Sequence, residues 1–300
     1  MLPAIETRIK DTIVQVSMLE YLDALSRVDL TRQNTYRRTM RKTVVITGST
    51  RGIGFGLALR FLELECNVLL NGTSPETTSK AMAGLQRFNE HAAGVSADIS
   101  TPEGITQLYD EAVRHFGRVD IWINNAGIAN ERRNTWELDH RAISRVFKVN
   151  IEGIVNGTII PYQRMVKQGG GKIFNMEGLG SDGFIQDGMT IYGTTKSAIT
   201  YFTRSFAHEA RSSSVQIGTL SPGMVMTDML RSTIIEGSPD SQKKKNFFNM
   251  MADDVETVSE FLCSKILSST AQSPRIRWLT KPGMIGKLLI APFRKRDFFS

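Results

Sequence analysis

The sequence is poor in the residues that build covalent or metal-linked frameworks. Its 300 residues include only two cysteines, Cys66 and Cys263, and four histidines. Two cysteines are too few for a disulfide framework and favour a reducing compartment, with both side chains buried as small apolar groups. The histidines are scattered and lack the spacing to cysteine or acidic residues that metal ligands show, so we expect no metal site.

Long apolar runs are missing as well. No stretch reaches the roughly 18–20 apolar residues of a membrane-spanning helix, so we do not expect the chain to cross a bilayer. Hydrophobic residues still make up 41% of the sequence, an ordinary globular value that excludes wholesale disorder. The length suits one large α/β domain or two small ones, each with a sizeable core.

Negative charge is in deficit, and the formal net charge is +7. Such an excess suits an anionic ligand, a membrane surface or nucleic acid. The basic residues gather in short clusters of a few residues each. Such clusters are usually solvated faces or tails, so we expect no nucleic-acid partner. The segment "GMIGKLLIAPFRKRDFF" mixes apolar and basic residues; it either makes a peripheral membrane contact or packs back on the domain.

The first forty residues differ from the rest. Apolar residues recur there at helical spacing with charges between them: Ile5, Ile9, Ile13, Val16, Leu19, Leu22 and Leu25. This pattern predicts an amphipathic helix that packs on the domain or on a partner subunit. The acidic residues in the same stretch disfavour a cleaved targeting peptide. We therefore divide the chain into an N-terminal helical extension, residues 1–42, and a domain at residues 43–300.

From Thr43 onward, short β-branched runs alternate with helical stretches. This alternation predicts parallel strands joined by right-handed crossovers. We expect an α/β fold, a single doubly wound parallel sheet of the Rossmann type with about seven strands, and the extra N-terminal helix. Residues 223–254 read as irregular, and "RIRWLT" reads as a late strand. Ligands of such sheets bind at the carboxyl ends of the strands.

The first predicted strand ends in the glycine-rich segment "TGSTRGIG". Glycines let the backbone approach a pyrophosphate, and the following helix offers N–H groups and a positive dipole end. The spacing departs from G-x-G-x-x-G, but its place between a first strand and a first helix favours a dinucleotide. The residues expected to line this loop are Gly48, Ser49, Arg51, Gly52, Ile53 and Gly54.

The end of the second strand selects between NADPH and NADH. An NAD site expects an acidic residue there to bind the ribose 2′-OH, whereas this chain has "NGTSPE". Arg51 can instead pair with a 2′-phosphate through charge-assisted hydrogen bonds, helped by the Thr73 and Ser74 hydroxyls. We therefore expect NADPH as the cofactor, with NADH less favoured.

A tyrosine and a lysine four residues apart, Tyr192 and Lys196, would share one face of a helix. A cation beside a phenol favours the ionised form of the phenol. Tyr192 could then act as a general acid, protonating the oxygen of a carbonyl as hydride reaches its carbon.

In this order, the motifs resemble those of the short-chain dehydrogenases/reductases. The matching segments are "TGSTRGIG", "AD", "NNAG", Asn150, "YGTTK" and "SPGMVMT". The resemblance implies that Asp98 lies at the adenine and that Lys196 also binds the nicotinamide ribose. It further implies that Asn150 holds a proton-relay water. Residues expected along the cofactor are Asn125, Ala126, Gly127, Pro222, Gly223 and Thr227. Members of this family usually form dimers or tetramers.

One departure from the family lies before the tyrosine. The family has a carbonyl-polarising serine about thirteen residues upstream, where this chain aligns Glu177 and Gly178. Ser181 is the nearby hydroxyl that could substitute. The alternative is a loop widened for a bulky substrate, in which Tyr192 and Lys196 alone handle the oxygen.

The segment "FNMEGLGSDG", together with "DIWINNAG" and "RIRWLT", resembles the plant and algal chlorophyll(ide) b reductases. That resemblance implies reduction of a 7-formyl group by NADPH, a large apolar tetrapyrrole substrate and a homo-oligomer or a hetero-oligomer with a related reductase. It also implies a chloroplast location, in the stroma or on the thylakoid, in a plant or alga, and a cytoplasmic one otherwise. Two alternatives stay open. One is a reductase of another bulky carbonyl compound, such as a steroid, retinoid or polyketide; the other is a non-enzymatic NADPH-binding module.

Overall fold

The computed structural model describes residues 41–234, 237, 239–290 and 296–299. The predicted N-terminal helix falls at residues before 41 and lies outside the described residues.

Seven parallel strands form one sheet, as the strand–helix alternation predicts. Its order is β3-β2-β1-β4-β5-β6-β7. The strands are β1 (Thr43–Ile46), β2 (Asn67–Gly72), β3 (Ala92–Ser96), β4 (Ile121–Asn124), β5 (Gly171–Met176), β6 (Val215–Ser221) and β7 (Arg275–Arg277). Strands β2 and β3 are added on one side of β1 and the later strands, from β4 onward, on the other side. The crevice between β1 and β4, where the strand order reverses, is the usual ligand site in such sheets. The predicted fold class is confirmed.

Helices cover both faces of the sheet. They are α1 (Gly52–Glu63), α2 (Pro75–Ala83), α3 (Pro102–Phe116), α4 (His140–Phe147), α5 (Gly153–Lys167), α6 (Thr190–Glu209), α7 (Asp228–Arg231), α8 (Ser241–Met251), α9 (Val255–Ser268) and α10 (Lys281–Ile290). Strand side chains alternate between two cores. Val44 and Ile46 pack with α1 and α9 on one face, while Val45 and Trp122 pack with α3 on the other.

The helical segment before β5 is interrupted. Helices α4 and α5 are joined by a π-helical turn, Lys148–Glu152. Asn150 lies in this turn, fully buried. Single π turns inside helices often occur at functional sites because the extra residue turns a side chain out of the regular helical position.

Residues 223–254 are more regular than the sequence pattern indicates. They contain α7 and α8. The prediction of an irregular segment was wrong. The run of lysines at the start of α8 obscures the helical spacing of the apolar residues that follow it in the sequence. Phe248 and Met251 among them are buried. None of the helices in the described part of the chain is long and apolar enough to span a membrane.

Candidate active site

The glycine loop packs against the turn that follows β4. Gly48 and Gly52 have φ of 60° and 56°, where a side chain would be strained. A Cβ built on Gly48 would lie 2.8 Å from the Ala126 Cα, and one on Gly54 would lie 2.5 Å from the Asn125 Nδ2. Asn125 Nδ2 also donates to the Gly48 carbonyl at 3.0 Å. The predicted cofactor residues of these two loops therefore lie in direct contact.

Asn71, at the end of β2, ties the glycine loop to the sheet. Its side-chain oxygen accepts from Gly48 N at 3.0 Å, and its Nδ2 donates to the Ala97 carbonyl at 3.1 Å. The Ser49 hydroxyl accepts from Asn71 N at 2.9 Å and donates to the Ile46 carbonyl at 2.7 Å. The Asn71 amide is thus buried in hydrogen bonds to the backbone of the glycine loop and of β3 and its following turn. Sequence reasoning missed this supporting role.

Arg51 follows Thr50 in the glycine loop, at the start of α1. It is exposed and occupies the N-cap position of α1. Its neighbour Thr50 contacts the end of β2, because a Cβ built on Gly72 would lie 2.8 Å from the Thr50 Cγ2. No acidic residue lies in the first turn of α1, so the helix N-terminus keeps its preference for anions.

The other residues predicted near the adenosine half are exposed or partly buried at the same sheet edge. Thr73 is exposed, and the Ser74 hydroxyl caps α2 by accepting from Thr77 N at 3.3 Å. Asp98 follows β3, and its Oδ1 accepts from Ser100 N at 2.9 Å. Part of the hydrogen-bonding capacity of Ser74 and Asp98 is therefore used in shaping their own turns.

Helix α6 carries the tyrosine and the lysine on one face. Tyr192 N donates to Asn130 Oδ1 at 3.0 Å, which fixes the start of the helix. Lys196 is buried, its Nζ donates to the Met176 carbonyl at 3.1 Å, and it lies 5.6 Å from the Tyr192 ring centroid. Asn130 has no recognisable signal in the sequence, because an isolated asparagine in a loop is common.

Burial shifts both groups away from their charged forms. It lowers the pKa of Lys196 to about 8, against the attraction of the Glu177 carboxylate, which raises that pKa. Burial raises the pKa of Tyr192 to about 12. At neutral pH, the pair therefore presents a protonated phenol beside a lysine that is still mostly cationic, which is the state a general acid needs.

Asn150 links the turn after β4 to α6. Its carboxamide exchanges two 2.9 Å hydrogen bonds with the Ile128 backbone and donates to Thr195 Oγ1 at 3.0 Å. A Cβ built on Gly127 would lie 3.4 Å from Asn150 Oδ1 and 3.5 Å from Lys196 Nζ. Gly127, Asn150 and Lys196 therefore converge on one point.

Ser181 is close to the site, but its hydroxyl is engaged within the protein. It accepts from Gly178 N and donates to the Lys196 carbonyl, both at 3.1 Å. Its single proton is thus directed to the helix backbone, away from a substrate oxygen. A Cβ built on Gly178 would lie 2.8 Å from the Tyr192 hydroxyl oxygen. The engaged Ser181 proton supports the alternative in which Tyr192 and Lys196 alone handle the oxygen, while the loop backbone packs closely against the phenol.

The turn after β6 reaches the glycine loop. Pro222 is buried, and Gly223 has a φ of 71°. A Cβ built on Gly52 would lie 3.5 Å from the Thr227 Cγ2. Thr227 also caps α7 by accepting from Leu230 N at 3.4 Å. Thr227 therefore lies against the glycine loop, while Pro222 and Gly223 form the turn that leads to it from β6.

The residues present fit a bound dinucleotide. Gly48 and Gly54 of the glycine loop leave no room for side chains, so a pyrophosphate can approach the backbone. The first turn of α1 has no acidic residue. The buried Lys196 is available to the nicotinamide half of the cofactor. Within the described residues, no group of three or more histidine, cysteine or acidic side chains could hold a metal ion. Cys66 and Cys263 are both buried, and burial raises the pKa of the Cys263 thiol.

Comparisons with known proteins agree with this geometry. The short chain dehydrogenase family model matches residues 42–236. The probable chlorophyll(ide) b reductase NYC1 of Oryza sativa is 33% identical over 276 residues, which covers 86% of this chain and 54% of that protein. The chlorophyll(ide) b reductase NOL of Arabidopsis thaliana is 33% identical over 247 residues, covering 79% of this chain and 70% of that protein. The 3-oxoacyl-[acyl-carrier-protein] reductase FabG of Aquifex aeolicus is 31% identical over 240 residues, covering 76% and 92%.

Solved structures show the same fold. The KRED1-Pglu enzyme superposes with a TM-score of 0.68 at 26% identity and covers 77% of this chain and 96% of its own. The L-sorbose reductase of Gluconobacter frateurii, complexed with NADPH and L-sorbose, has a TM-score of 0.71 at 21% identity and covers 82% and 97%.

The fold and the family match define an NAD(P)(H)-dependent oxidoreductase. The chain belongs to the short-chain dehydrogenase/reductase family, and among its relatives are chlorophyll(ide) b reductases at about 30% identity. It spans about half the length of the NYC1 proteins that it matches.

Proposed function

We propose that this protein is an NADPH-dependent carbonyl reductase that converts the 7-formyl group of chlorophyll b or chlorophyllide b to a hydroxymethyl group. The observation that carries the reductase proposal is the convergence of the Tyr192–Lys196 pair with Gly127, next to the loop predicted to bind the cofactor. The relatives named as chlorophyll(ide) b reductases support this choice of substrate.

The residues divide the chemistry as follows. A nicotinamide cofactor, when bound, supplies the hydride that the carbonyl carbon accepts. Tyr192 donates its hydroxyl proton to the carbonyl oxygen, and the Lys196 ammonium stabilises the phenolate that is left. Asn150 holds the turn after β4 against α6 through Thr195, so the lysine and the glycine loop keep their spacing. The phenolate then recovers a proton from solvent.

The preference for NADPH rests on the end of β2. The end of β2, which would carry an acidic ribose ligand in an NAD site, has no carboxylate here, and its Asn71 amide is used in hydrogen bonds of the glycine loop. Arg51 is exposed at the start of α1, so its guanidinium is available to a 2′-phosphate. Because a guanidinium and a phosphate pair through two charge-assisted hydrogen bonds, Arg51 favours NADPH.

Exposed apolar side chains support a large flat substrate. Phe184 and Ile185, in the loop before α6, are 62% and 87% exposed. Met229 of α7 and Phe247 of α8 are 44% and 45% exposed. Apolar side chains of this size on the surface often mark a binding surface, and a tetrapyrrole offers a matching apolar face.

Helix α10 supports peripheral contact with a membrane that carries the pigment. Ile285, Leu288 and Leu289 are 59%, 50% and 70% exposed, and basic residues follow the helix in the sequence. We propose a chloroplast location, in the stroma or at the thylakoid surface, in a plant or alga, and a cytoplasmic location otherwise. We also propose an oligomer, formed with a second copy or with a related reductase.

Incubation of the purified protein with NADPH and a panel of carbonyl compounds tests the proposal. The panel contains chlorophyllide b, a steroid ketone, a retinal and a polyketide, and products are separated by chromatography. We expect the 7-hydroxymethyl pigment from the parent protein and almost none from Tyr192→Phe. Reduction of a steroid, retinoid or polyketide without the formyl pigment would favour the second candidate, a reductase of another bulky carbonyl. The match to FabG, which covers 92% of that protein, supports that candidate.

A further inference from the structure

Glu177 is a buried carboxylate to which the proposed reaction assigns no step. It directly follows β5, and its N–H donates to the Leu220 carbonyl at 2.7 Å. Only 2% of the residue is exposed. A buried carboxylate is costly unless other groups pair with it. Its partners therefore show what the carboxylate is placed to do.

On one side, the carboxylate is paired with a cation across β6. Arg275 of β7 places its Nε 3.0 Å from Glu177 Oε1 and donates from Nη2 to Oε2 at 3.1 Å. The Thr200 hydroxyl of α6 lies 3.4 Å from Oε1. The arginine side chain is 36% exposed, whereas the carboxylate is inside the protein. The solvent therefore screens the arginine more than it screens the carboxylate.

On the other side, the carboxylate acts on the lysine of the site. Lys196 Nζ donates to the carbonyl of Met176, the residue before Glu177. The attraction of Glu177 opposes the burial that lowers the pKa of Lys196. The charged and titratable groups that face Lys196 are Tyr192 on its own helix and Glu177 at the end of β5, with Arg275 behind Glu177.

We propose that Glu177 is a positioning residue that keeps the Lys196 ammonium charged, and that Arg275 sets how strongly it does so. Across the site from Glu177, Asn150 and Gly127 are neutral, so no other described residue there replaces the carboxylate. The inference rests on the proposed reductase mechanism, in which the lysine must be cationic when Tyr192 gives up its proton.

The proposal predicts that two variants shift the apparent pKa of the Tyr192–Lys196 pair in opposite directions. Glu177→Gln removes a negative charge beside the Tyr–Lys pair, so the apparent pKa of the pair falls by about one pH unit. Arg275→Gln leaves the carboxylate without its partner, so the same apparent pKa rises by a similar amount, about one pH unit. A purely structural ion pair predicts that both variants lose activity equally at every pH.

Two measurements test this. The first is the alkaline limb of kcat/KM against pH, recorded with whichever carbonyl compound the protein reduces fastest. The second needs no substrate: the ¹⁵Nζ shift of Lys196 is titrated in lysine-labelled protein and assigned with Lys196→Met. Failure of the chlorophyll proposal therefore leaves the second measurement intact. Glu260→Gln is the matched control, because Glu260 pairs with Arg60 and is 62% exposed.

Opposite shifts in the two variants, with the Glu260→Gln profile unchanged, are the expected result. Shifts in the same direction, or no shift in either measurement, overturn the proposal. Thermal unfolding of each variant shows whether it is folded. If Glu177→Gln does not fold, the Arg275→Gln variant alone tests the proposal. An alkaline limb of kcat/KM that moves to higher pH supports it, and a limb that stays in place or moves to lower pH contradicts it.

Discussion

Gly178 lies directly against the hydroxyl of Tyr192. A Cβ at position 178 would be 2.8 Å from the phenolic oxygen and 3.2 Å from the Lys196 Cε. The absence of a side chain is therefore a steric requirement of this Tyr–Lys arrangement.

Gly178→Ala should lower turnover more than it lowers stability. The methyl group pushes the Tyr192 hydroxyl aside, and a displacement of about 1 Å can cost about 100-fold in rate. We expect kcat to fall about 10–100-fold, with a nearly unchanged dissociation constant for the cofactor measured by fluorescence. Gly286→Ala is the control, because nothing lies within 4 Å of a Cβ there. Parent-like kcat in Gly178→Ala would show that the crowding does not matter.

Tyr192→Phe keeps the ring and removes the proton donor. General acid catalysis typically contributes about 10²–10⁴-fold, so turnover should fall by that factor while the cofactor still binds. Stopped-flow absorbance of NADPH consumption measures the rate. A variant within a few-fold of the parent would refute the mechanism and favour a non-enzymatic NADPH-binding module.

Arg51→Ala separates the two cofactors. If the guanidinium binds the 2′-phosphate, its loss should weaken NADPH binding by about 1.5–3 kcal/mol, the value of hydrogen bonds to a charged group, and leave NADH almost unchanged. Calorimetric titration with each cofactor gives both affinities. Equal losses would mean that Arg51 supports the loop and does not contact the phosphate.

Ser181→Ala distinguishes a bracing role from a direct one. The hydroxyl bridges Gly178 N and the Lys196 carbonyl, so its loss should destabilise the protein by about 1–3 kcal/mol, as an unpaired polar group does. Denaturant unfolding measures this change. If the serine instead polarises the substrate, kcat/KM should drop by the same energy, about 1–3 kcal/mol, with unchanged stability. The hydrogen bonds of the hydroxyl favour the first outcome.

Asp253 should make stability depend on pH on the acid side. Burial works to raise the pKa of Asp253, but hydrogen bonds from Lys287, Trp278 and Arg296 hold it below its usual value. A depressed folded-state pKa contributes stability that is present above the unfolded pKa of about 3.9. That stability is lost as pH falls through the folded pKa.

The Asp253→Asn variant tests the direction of this pH dependence of stability. The variant should lose about 1–3 kcal/mol at pH 7, since three donors lose a charged partner, and the difference from the parent should shrink below about pH 4. Asp240→Asn is the control, because its pair with Lys243 is 4.0 Å long and exposed and should contribute little. A difference that stays constant from pH 7 to pH 3 would contradict the assignment.

The sequence was sufficient for the fold, because strand–helix alternation and a glycine-rich first turn are local patterns. It also indicated Asn150 and Gly127 as candidate site residues, since both belong to short motifs, and the structure places both near Lys196. It could not show that Glu177 pairs with Arg275, which is 98 residues away. Nor could it show that the Ser181 proton is already used, because a hydrogen bond to a helix carbonyl leaves no pattern in the sequence. The role of Asn71 was hidden for the same reason.

Hydride transfer from the cofactor to the formyl carbon tests the central claim most directly. The protein is incubated with chlorophyllide b and NADPH in which both hydrogens on the nicotinamide C4 are deuterium. The mass of the product is then measured by mass spectrometry. We predict a 7-hydroxymethyl pigment with one deuterium on the new carbinol carbon, and no such product from Tyr192→Phe. Unreacted pigment from a folded, NADPH-binding protein, or a reduced product without deuterium, would contradict the account.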